Sequence, residues 1–299
     1  MCGVMGYAGP NQAAPILLDG LRKLEYRGYD SAGMAVLNDG SIDVKKCRGR
    51  LQLLANLTHD GQDMPGHIGI GHTRWATHGE PSDENSHPHL SNSGRFAIVH
   101  NGIIENYQAL KDKLLSRGYT FHSETDTEVI ANMIEYYDQG DLVQTLIKVL
   151  HRLEGSYALG VLSVAEPDHF VAVRKDSPLI VGRGDGENFI ASDIPAVLNR
   201  TRDVYLMGDN EIAVVAADAV RFFNMDAEEV EKEIYHVEWD VSAAEKGGYE
   251  HFMMKEIMEQ PKALRDTIKP RIKNGRFVLD DLTFDTDWLT QLNRIYIVG

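Results

Sequence analysis

Cys2 holds the position at which this sequence carries its most reactive chemistry. An initiator methionine before a small residue is normally removed, so we expect the mature chain to begin at Cys2, with a thiol and a free α-amine on one residue. Such an amine has a reference pKa of about 7.7–8.0 and a cysteine thiol about 8.5, so the amine can accept the thiol proton. Cys2 is therefore predicted to be a nucleophile with its own base. An ordinary residue at a frayed terminus is the alternative.

Asn101 and Gly102 could supply the second requirement of acyl transfer. When a thiol attacks a carboxamide, negative charge develops on the oxygen, and two convergent N–H donors stabilise it. The pair follows an apolar run at residues 96–99, so the side-chain amide and a backbone N–H could point at one atom. Asn-Gly is also a common turn dipeptide, so a turn without a catalytic role is the alternative.

Arg74 and Asp126 have the charges needed to hold a zwitterionic substrate. Arg74 lies in a glycine-flanked run of Thr, Trp and His residues, where a guanidinium can bind a carboxylate through two parallel hydrogen bonds. Asp126 is predicted in the first turn of a helix and could bind an ammonium group. A solvated surface arginine and a carboxylate stabilised by the helix dipole are the alternatives.

Five histidines raise the possibility of a metal site: His72, His78, His87, His89 and His100. Their spacing matches no zinc motif, and the sequence contains only two cysteines, so we predict no catalytic metal. Neither a G-x-G-x-x-G nor a G-x-x-x-x-G-K-[ST] phosphate loop is present, so no nucleotide and no other cofactor is predicted.

Composition limits the class of protein and its partners. The 299 residues are 43% hydrophobic and 25% charged, which is typical of a folded globular protein. A net charge of −15 without basic clusters argues against a nucleic acid or an anionic membrane as partner. No apolar run approaches the ~20 residues of a membrane span, and no signal peptide is visible. Cys2 and Cys47 are too few for a disulfide framework, and we predict a cytoplasmic protein.

Hydrophobic periodicity predicts the elements that position these residues. A strand predicted at residues 4–7 would hold Cys2 in place. Apolar residues at helical spacing then predict a helix that ends at Leu24. Asn38-Asp39-Gly40 predicts a hairpin, residues 67–72 and 96–99 predict strands, and residues 73–94 a loop. Helices are predicted after Asn106, from Thr125 with Glu128 as a capping box, and over residues 142–153. After Gly155 the pattern is rich in strands.

Strands and helices occur in blocks, which favours an α+β fold of antiparallel sheets with helices on their outer faces. A domain boundary is predicted near residue 240, within an acidic and glycine-containing stretch, giving domains 1–240 and 241–299. A Met-rich helix is predicted at residues 253–268 and an acidic helix near 280–292. The apolar run 295–299 is typical of the start of a buried strand, so we expect a piece of a longer protein.

Taken together, these segments resemble the class II glutamine amidotransferases, whose glutaminase domains are N-terminal-nucleophile hydrolases. The matching runs are Met1-Cys2-Gly3, LEYRGYDSAG at 24–33, TRWATHGEP at 73–81, HPH at 87–89, VHNGIIEN at 99–106 and SETDTEV at 123–129. The resemblance covers about the first 240 residues. It implies a four-layer αββα sandwich, in which two antiparallel sheets lie between helical layers.

The resemblance also implies a role for each matching residue. Cys2 would attack the glutamine side-chain amide to form a thioester, and Asn101 and Gly102 would form the oxyanion hole. Arg74, with Thr77 and His78, would bind the substrate carboxylate, while Asp126 and Gly102 would receive its α-ammonium group. The resemblance assigns supporting roles to Arg27, Gly28 and Trp75, with Trp75 as a gate to an ammonia channel and residues 73–81 as a closing loop.

The resemblance implies glutamine as substrate, with glutamate and ammonia as products. Residues 241–299 would be a linker and the beginning of a sugar-phosphate isomerase domain. Only a longer, homodimeric enzyme would then use fructose 6-phosphate as the ammonia acceptor, and this chain would act as a glutaminase. Three alternatives stay open: an amidotransferase with another acceptor, a glutamine sensor without turnover, and an amidase for a different amide.

Overall fold

A computed structural model describes residues 2–238, 248–249, 251–273, 275–278 and 291–296. The chain divides into two compact units, Met1–Val241 and Ser242–Gly299. This division falls close to the boundary predicted near residue 240, while the identities of the two domains stay predictions. The predicted acidic helix near 280–292 lies largely outside the described residues, as do residues 297–299.

The described residues of unit 1 form fifteen strands, arranged in two antiparallel sheets. In chain order they are β1 (Gly3–Ala8), β2 (Ser31–Asn38), β3 (Ser41–Arg48), β4 (Ile68–Arg74), β5 (His89–Leu90), β6 (Phe96–Ile104), β7 (Gly155–Ser163), β8 (His169–Lys175), β9 (Ile180–Arg183), β10 (Asn188–Ala191), β11 (Asp203–Leu206), β12 (Ile212–Ala216), β13 (Val220–Phe223), β14 (Glu229–Val230) and β15 (Tyr235–His236). Sheet I has the order β15-β11-β9-β10-β1-β4-β2-β3, and sheet II has the order β14-β13-β12-β8-β7-β6-β5.

Five α-helices of unit 1 cover the outer faces of these sheets. They are α1 (Ala13–Leu24), α2 (Leu51–Leu57), α3 (Tyr107–Leu115), α4 (Thr127–Tyr137) and α5 (Leu142–Leu150). Short 3-10 turns lie at Glu25–Arg27 and Ile194–Ala196. No helix in the described parts of the chain is long and apolar enough to cross a membrane.

Three layers of buried side chains separate the four layers of secondary structure. Side chains of α1 and α2 pack on sheet I, those of α3 to α5 pack on sheet II, and a third cluster lies between the sheets. Neighbouring residues of a strand face opposite layers. Met5 therefore packs under α1, whereas Val4 packs between the sheets. This arrangement confirms the predicted α+β fold, an αββα sandwich of two antiparallel sheets between helices.

Helix α1 packs closely on the centre of sheet I because glycines remove side chains at the contact. A Cβ added at Gly20 of α1 would lie 2.7 Å from Met5 Sδ, and one at Gly71 of β4 would lie 2.9 Å from Leu21 Cδ1. The alternation of glycine with larger residues in β4 therefore has a packing cause. The glycines face the helix, and Ile68 and Ile70 face sheet II.

Several local predictions differ from the structure. Thr73 and Arg74 belong to β4, and β5 lies inside the loop predicted at residues 73–94. Helix α4 begins at Thr127 rather than Thr125, and Glu128 accepts hydrogen bonds from the backbone N–H groups of His122 and Ser123 instead of closing a capping box on Thr125. The Glu128 carboxylate thus accepts the hydrogen bonds of two backbone N–H groups in the segment before the helix. Helix α2 was not predicted, because its seven residues are too short for a clear periodic signal.

Unit 2 contains the helix α6 (Phe252–Ile268), as the Met-rich pattern predicted. A 3-10 turn at Lys269–Arg271 follows, and then a two-stranded antiparallel hairpin of β16 (Ile272–Lys273) and β17 (Arg276–Phe277). Pro261 lies inside the helix. Met253 and Met258 are strongly exposed within this unit.

Candidate active site

Cys2 immediately precedes β1, a central strand of sheet I. Its Sγ accepts a hydrogen bond of 3.2 Å from the backbone N–H of Trp75, and the thiol lies 3.5 Å from the Trp75 carbonyl. A Cβ at Gly3 would lie 2.6 Å from Thr73 Oγ1, so glycine lets the strand pass close to β4. Burial raises the pKa of the Cys2 thiol, and the Trp75 N–H offsets part of this. Met1 lies outside the described residues, so its removal stays a prediction.

Asn101 meets Cys2 across the gap between the two sheets. Its side-chain Nδ2 donates a hydrogen bond of 2.8 Å to the Cys2 carbonyl oxygen. Its Oδ1 lies 3.0 Å from Nε2 of the buried His72. One N–H of the amide is therefore held beside the nucleophile, and the second remains for a ligand.

Gly102 continues β6 in a conformation that requires glycine. Its φ is +132°, and a Cβ there would lie 2.1 Å from the Ser156 carbonyl oxygen. Backbone N–H groups of successive residues point to opposite edges of a strand, so those of every second residue share an edge. The N–H of His100 donates to His87 and that of Ile104 to Asp126, both at the edge away from β7. By the same alternation the Gly102 N–H points to this edge, in the wall of the pocket.

Arg74 closes β4, and its buried side chain holds the loop that follows. Nη2 donates to the carbonyls of His78 and Gly79, and Nη1 donates to that of Glu80 at 3.4 Å. These bonds fold residues 75–80 over the guanidinium. Burial lowers the pKa of Arg74, and the carboxylate of Asp30 is the first of the neighbours that offset this.

Asp126 is a buried carboxylate at the N-terminus of α4. Its Oδ2 accepts a hydrogen bond of 2.8 Å from the Ile104 N–H, which ties the helix to the end of β6. Oδ1 lies 3.5 Å from Thr127 Oγ1. The carboxylate can therefore accept further hydrogen bonds from a cationic ligand without losing its structural one.

A single small cavity brings most of the predicted site residues together. Its wall includes Cys2, Arg74, Trp75, Thr77, His78, Gly102 and Asp126. The enclosed space is about 20 Å³, enough for about one water molecule. Larger cavities, of about 510 and 530 Å³, are lined by other residues and contain none of this chemistry.

The remaining predicted residues surround this cavity in different ways. Trp75 is half-exposed, and its ring meets Tyr29 edge to face at 5.5 Å between centroids. Arg27 lies outside the cavity wall, where its Nη2 pairs with Asp193. Gly28 packs directly behind Arg74, because a Cβ there would lie 2.6 Å from the Arg74 carbonyl carbon. Arg27 and Gly28 therefore contact the surroundings of the site and not its interior.

Four of the five histidines form a buried cluster behind Asn101. His72 stacks on His87 at 4.2 Å, and His87 meets His89 edge to face at 4.8 Å. Burial lowers the pKa of His72 to about 3 and also lowers those of His87, His89 and His100, so the cluster is neutral. Among the described residues, no group of three or more His, Cys, Asp or Glu side chains is suited to hold a metal.

Sequence reasoning missed two contributors to the site. Asp30 accepts a hydrogen bond from the Ala76 N–H and so fixes the segment whose backbone contacts the Cys2 thiol. His72 contacts the Asn101 carboxamide. Asp30 lies within the matching run 24–33, which was the available signal. His72 was considered only as a metal ligand, because its partner is distant in sequence.

Comparisons with known proteins agree with this geometry. A profile for the glutamine amidotransferase domain matches residues 72–199. A protein of Caldanaerobacter subterraneus subsp. tengcongensis, named glutamine–fructose-6-phosphate aminotransferase (isomerizing), is 59% identical over an alignment of 300 positions, which covers 100% of this chain and 49% of the relative. The Aquifex aeolicus protein of the same name is 51% identical over 269 residues, 90% of this chain and 45% of the relative. The chain thus spans about half the length of these curated relatives.

Solved structures show the same architecture. The glutamine phosphoribosylpyrophosphate amidotransferase of B. subtilis superposes with a TM-score of 0.66 at 25% identity, over 76% of this chain and 50% of that one. An allosteric regulatory enzyme of purine biosynthesis gives a TM-score of 0.65 at 27% identity, over 75% of this chain and 49% of that one. The domain profile, the sequences of the relatives and the fold agree, and the chain therefore carries a glutamine amidotransferase domain of the class II, N-terminal-nucleophile type.

Proposed function

We propose that this chain hydrolyses glutamine to glutamate and ammonia, with Cys2 as the nucleophile. The observation that carries the proposal is the convergence of a thiol, an arginine and an aspartate on one cavity, beside two N–H donors. Glutamine has a carboxamide to be attacked, a carboxylate for the arginine and an ammonium group for the aspartate. A simple amide without an amino-acid head group would have no groups for these two buried charges to bind.

In the first half of the reaction, Cys2 Sγ attacks the side-chain carbonyl carbon of glutamine. The α-amine of Cys2, free once Met1 is removed, takes the thiol proton. The negative charge that develops on the amide oxygen is stabilised by an N–H of Asn101 and the N–H of Gly102. The C–N bond then breaks, the protonated α-amine returns the proton to the leaving nitrogen, and ammonia and a glutamyl thioester result.

In the second half, water attacks the thioester. The same α-amine takes a proton from the water molecule, and the same two N–H groups stabilise the second tetrahedral intermediate. Cys2 Sγ then leaves and regains its proton, which releases glutamate. The reaction needs no redox partner, because every bond change is an acyl transfer to sulfur and then to water.

The α-carboxylate and the α-ammonium group of glutamine bind to residues of opposite charge. Arg74, together with Thr77 and His78, binds the α-carboxylate, and Asp126 with the Gly102 carbonyl binds the α-ammonium group. The cavity of about 20 Å³ is too small for glutamine, so residues 73–81 open to admit substrate and then close again. Arg27 and Gly28 support the surroundings of the nucleophile, and the half-exposed Trp75 gates the route of ammonia out of the pocket.

The activity of a longer protein follows from the relatives' names. We propose that residues 241–299 are a linker and the beginning of a sugar-phosphate isomerase domain. In the whole protein, ammonia would pass to fructose 6-phosphate to give glucosamine 6-phosphate. That protein would be a cytoplasmic homodimer, and the present chain alone would stop at glutamate and ammonia.

A glutaminase assay on the purified chain tests the proposal. Intact mass first establishes that the chain begins at Cys2, and glutamate release is then followed with and without an electrophilic glutamine analogue. We expect turnover that the analogue abolishes, with a mass increase of one adduct that is absent from a Cys2→Ala control. A chain that begins at Cys2 but neither forms the adduct nor releases glutamate would refute the proposal. Reversible glutamine binding without turnover would instead indicate a sensor.

A further inference from the structure

His72 belongs to no step of the proposed reaction, yet it contacts the Asn101 side chain directly. It lies on β4 of sheet I, and its side chain is buried in the gap between the sheets. Its Nε2 is 3.0 Å from Asn101 Oδ1 and 3.0 Å from the His100 carbonyl oxygen. On the other side of the same carboxamide, Asn101 Nδ2 donates to the Cys2 carbonyl. The amide is therefore held between the nucleophile's strand and His72.

Hydrogen-bond chemistry fixes the proton on this ring. A carbonyl oxygen and an amide oxygen only accept, so Nε2 of His72 must carry the hydrogen. The ring is neutral, because burial lowers its pKa to about 3. Nδ1 then has a lone pair, and it has no hydrogen-bond partner among the described residues. The alternative tautomer would turn a lone pair toward two oxygens and bury an unpaired N–H.

The position of the ring is itself constrained. It stacks on His87 at 4.2 Å with an interplanar angle of 15°. The Nδ1 of His87 accepts a hydrogen bond of 3.2 Å from the His100 N–H, so β6 holds the ring against which His72 packs. The donor on His72 is therefore rigid in direction as well as in tautomer.

We propose that His72 is a positioning residue, which holds the Asn101 carboxamide by its oxygen so that an N–H of Nδ2 faces the carbonyl oxygen of the substrate. The proposal rests on the glutaminase function proposed above. Without the His72 donor, Asn101 Oδ1 would be buried without a partner, and the Cys2 carbonyl alone would orient the amide. The amide would then be free to tilt about that single bond.

Two substitutions separate positioning from packing. The amide nitrogen of glutamine reaches about as far as Nε2 of histidine, whereas that of asparagine reaches only as far as Nδ1. His72→Gln thus keeps a donor for Asn101, and His72→Asn does not, while both lose the stacked ring. We expect His72→Asn to lower kcat about 10- to 100-fold with KM for glutamine nearly unchanged, which is less than the 10²–10³ of a lost oxyanion donor. His72→Gln should retain most of the activity.

A double variant tests whether His72 acts through Asn101. Adding His72→Asn to Asn101→Ala should lower kcat no further than Asn101→Ala alone, because the group that it positions is already gone. If the histidine change is equally damaging in both backgrounds, or if Gln and Asn variants lose the same activity, the residue only packs and the inference is wrong.

Nitrogen NMR of the histidine rings provides a readout that does not require turnover. We expect a neutral His72 with its proton on Nε2 at pH 7, and a proton on Nδ1 or a charged ring would overturn the inference. A wild-type chain that begins at Cys2 and leaves glutamine intact would refute the proposed function instead. The two failures are thus distinguishable.

Discussion

Gly102→Ala should damage activity and stability together, by amounts that the backbone geometry sets. The new Cβ would lie 2.1 Å from the Ser156 carbonyl oxygen, and φ is +132°, where an L side chain is strained. Such strain costs about 1–3 kcal/mol. Relief of the collision needs a backbone shift of about 1 Å, and a misplacement of that size can cost about 10²-fold in rate. We therefore expect kcat to fall about 100-fold or more.

The matched control is Gly94→Ala, in the turn before β6. Gly94 also has a positive φ, +73°, but nothing lies within 4 Å of its added Cβ. Gly94→Ala should lower the free energy of unfolding by about 1 kcal/mol and leave kcat unchanged. Steady-state glutamate release and thermal unfolding of both variants are the measurements, and we expect Gly102→Ala to lower Tm by about 2–12 °C. A folded Gly102→Ala with wild-type kcat would show that its N–H does not meet the oxyanion.

Three further predictions address charge, nucleophile and pH. Asp126→Asn keeps an oxygen that can accept the Ile104 N–H but loses the negative charge. KM for glutamine, measured by steady-state kinetics, should therefore rise about 10-fold with Tm nearly unchanged. An unchanged KM would contradict the ammonium site. Cys2→Ser should lower kcat by at least about 10³-fold while circular dichroism stays native, and residual turnover near wild type would exclude Cys2 as the nucleophile. Folded His72 has a pKa of about 3, so below pH 6.5 the unfolded chain takes up a proton on this residue and the folded chain stays neutral there. Lowering the pH from 7 to 5 should therefore reduce the free energy of unfolding by about 2 kcal/mol through this residue. Urea unfolding of wild type and His72→Gln checks this, and equal pH slopes would contradict it.

The sequence allowed the main layers of the fold to be predicted because their patterns are periodic. Apolar residues at helical spacing indicated α1, and the Asn38-Asp39-Gly40 turn indicated the hairpin of β2 and β3. Cys2 and Asn101-Gly102 could be proposed from the sequence because a thiol beside an α-amine and an Asn-Gly pair after an apolar strand each supply a requirement of acyl transfer. Helix α2 and the true start of α4 were missed, because a short helix and a carboxylate that bonds to the preceding segment leave little periodic signal.

Contacts between distant backbone groups could not be predicted in the same way. Trp75 was considered for its ring, whereas the structure brings its backbone N–H to the Cys2 thiol. Any residue type has that N–H, so the sequence has no signature for it. Asp30 and His72 act on groups 46 and 29 positions away, and only the packing of the strands brings them there.

The position of the site within the core explains why such contacts converge. Side chains two apart on a strand share a face, so Cys2 follows the face of Val4, and Asn101 follows that of Val99. Val4 and Val99 belong to the buried layer between the sheets, and His72 likewise continues the face of Ile70. The candidate active site is thus the polar end of the layer that holds the two sheets together. Because this layer packs between the two sheets, the spacing of the sheets sets the distance between Cys2 and Asn101.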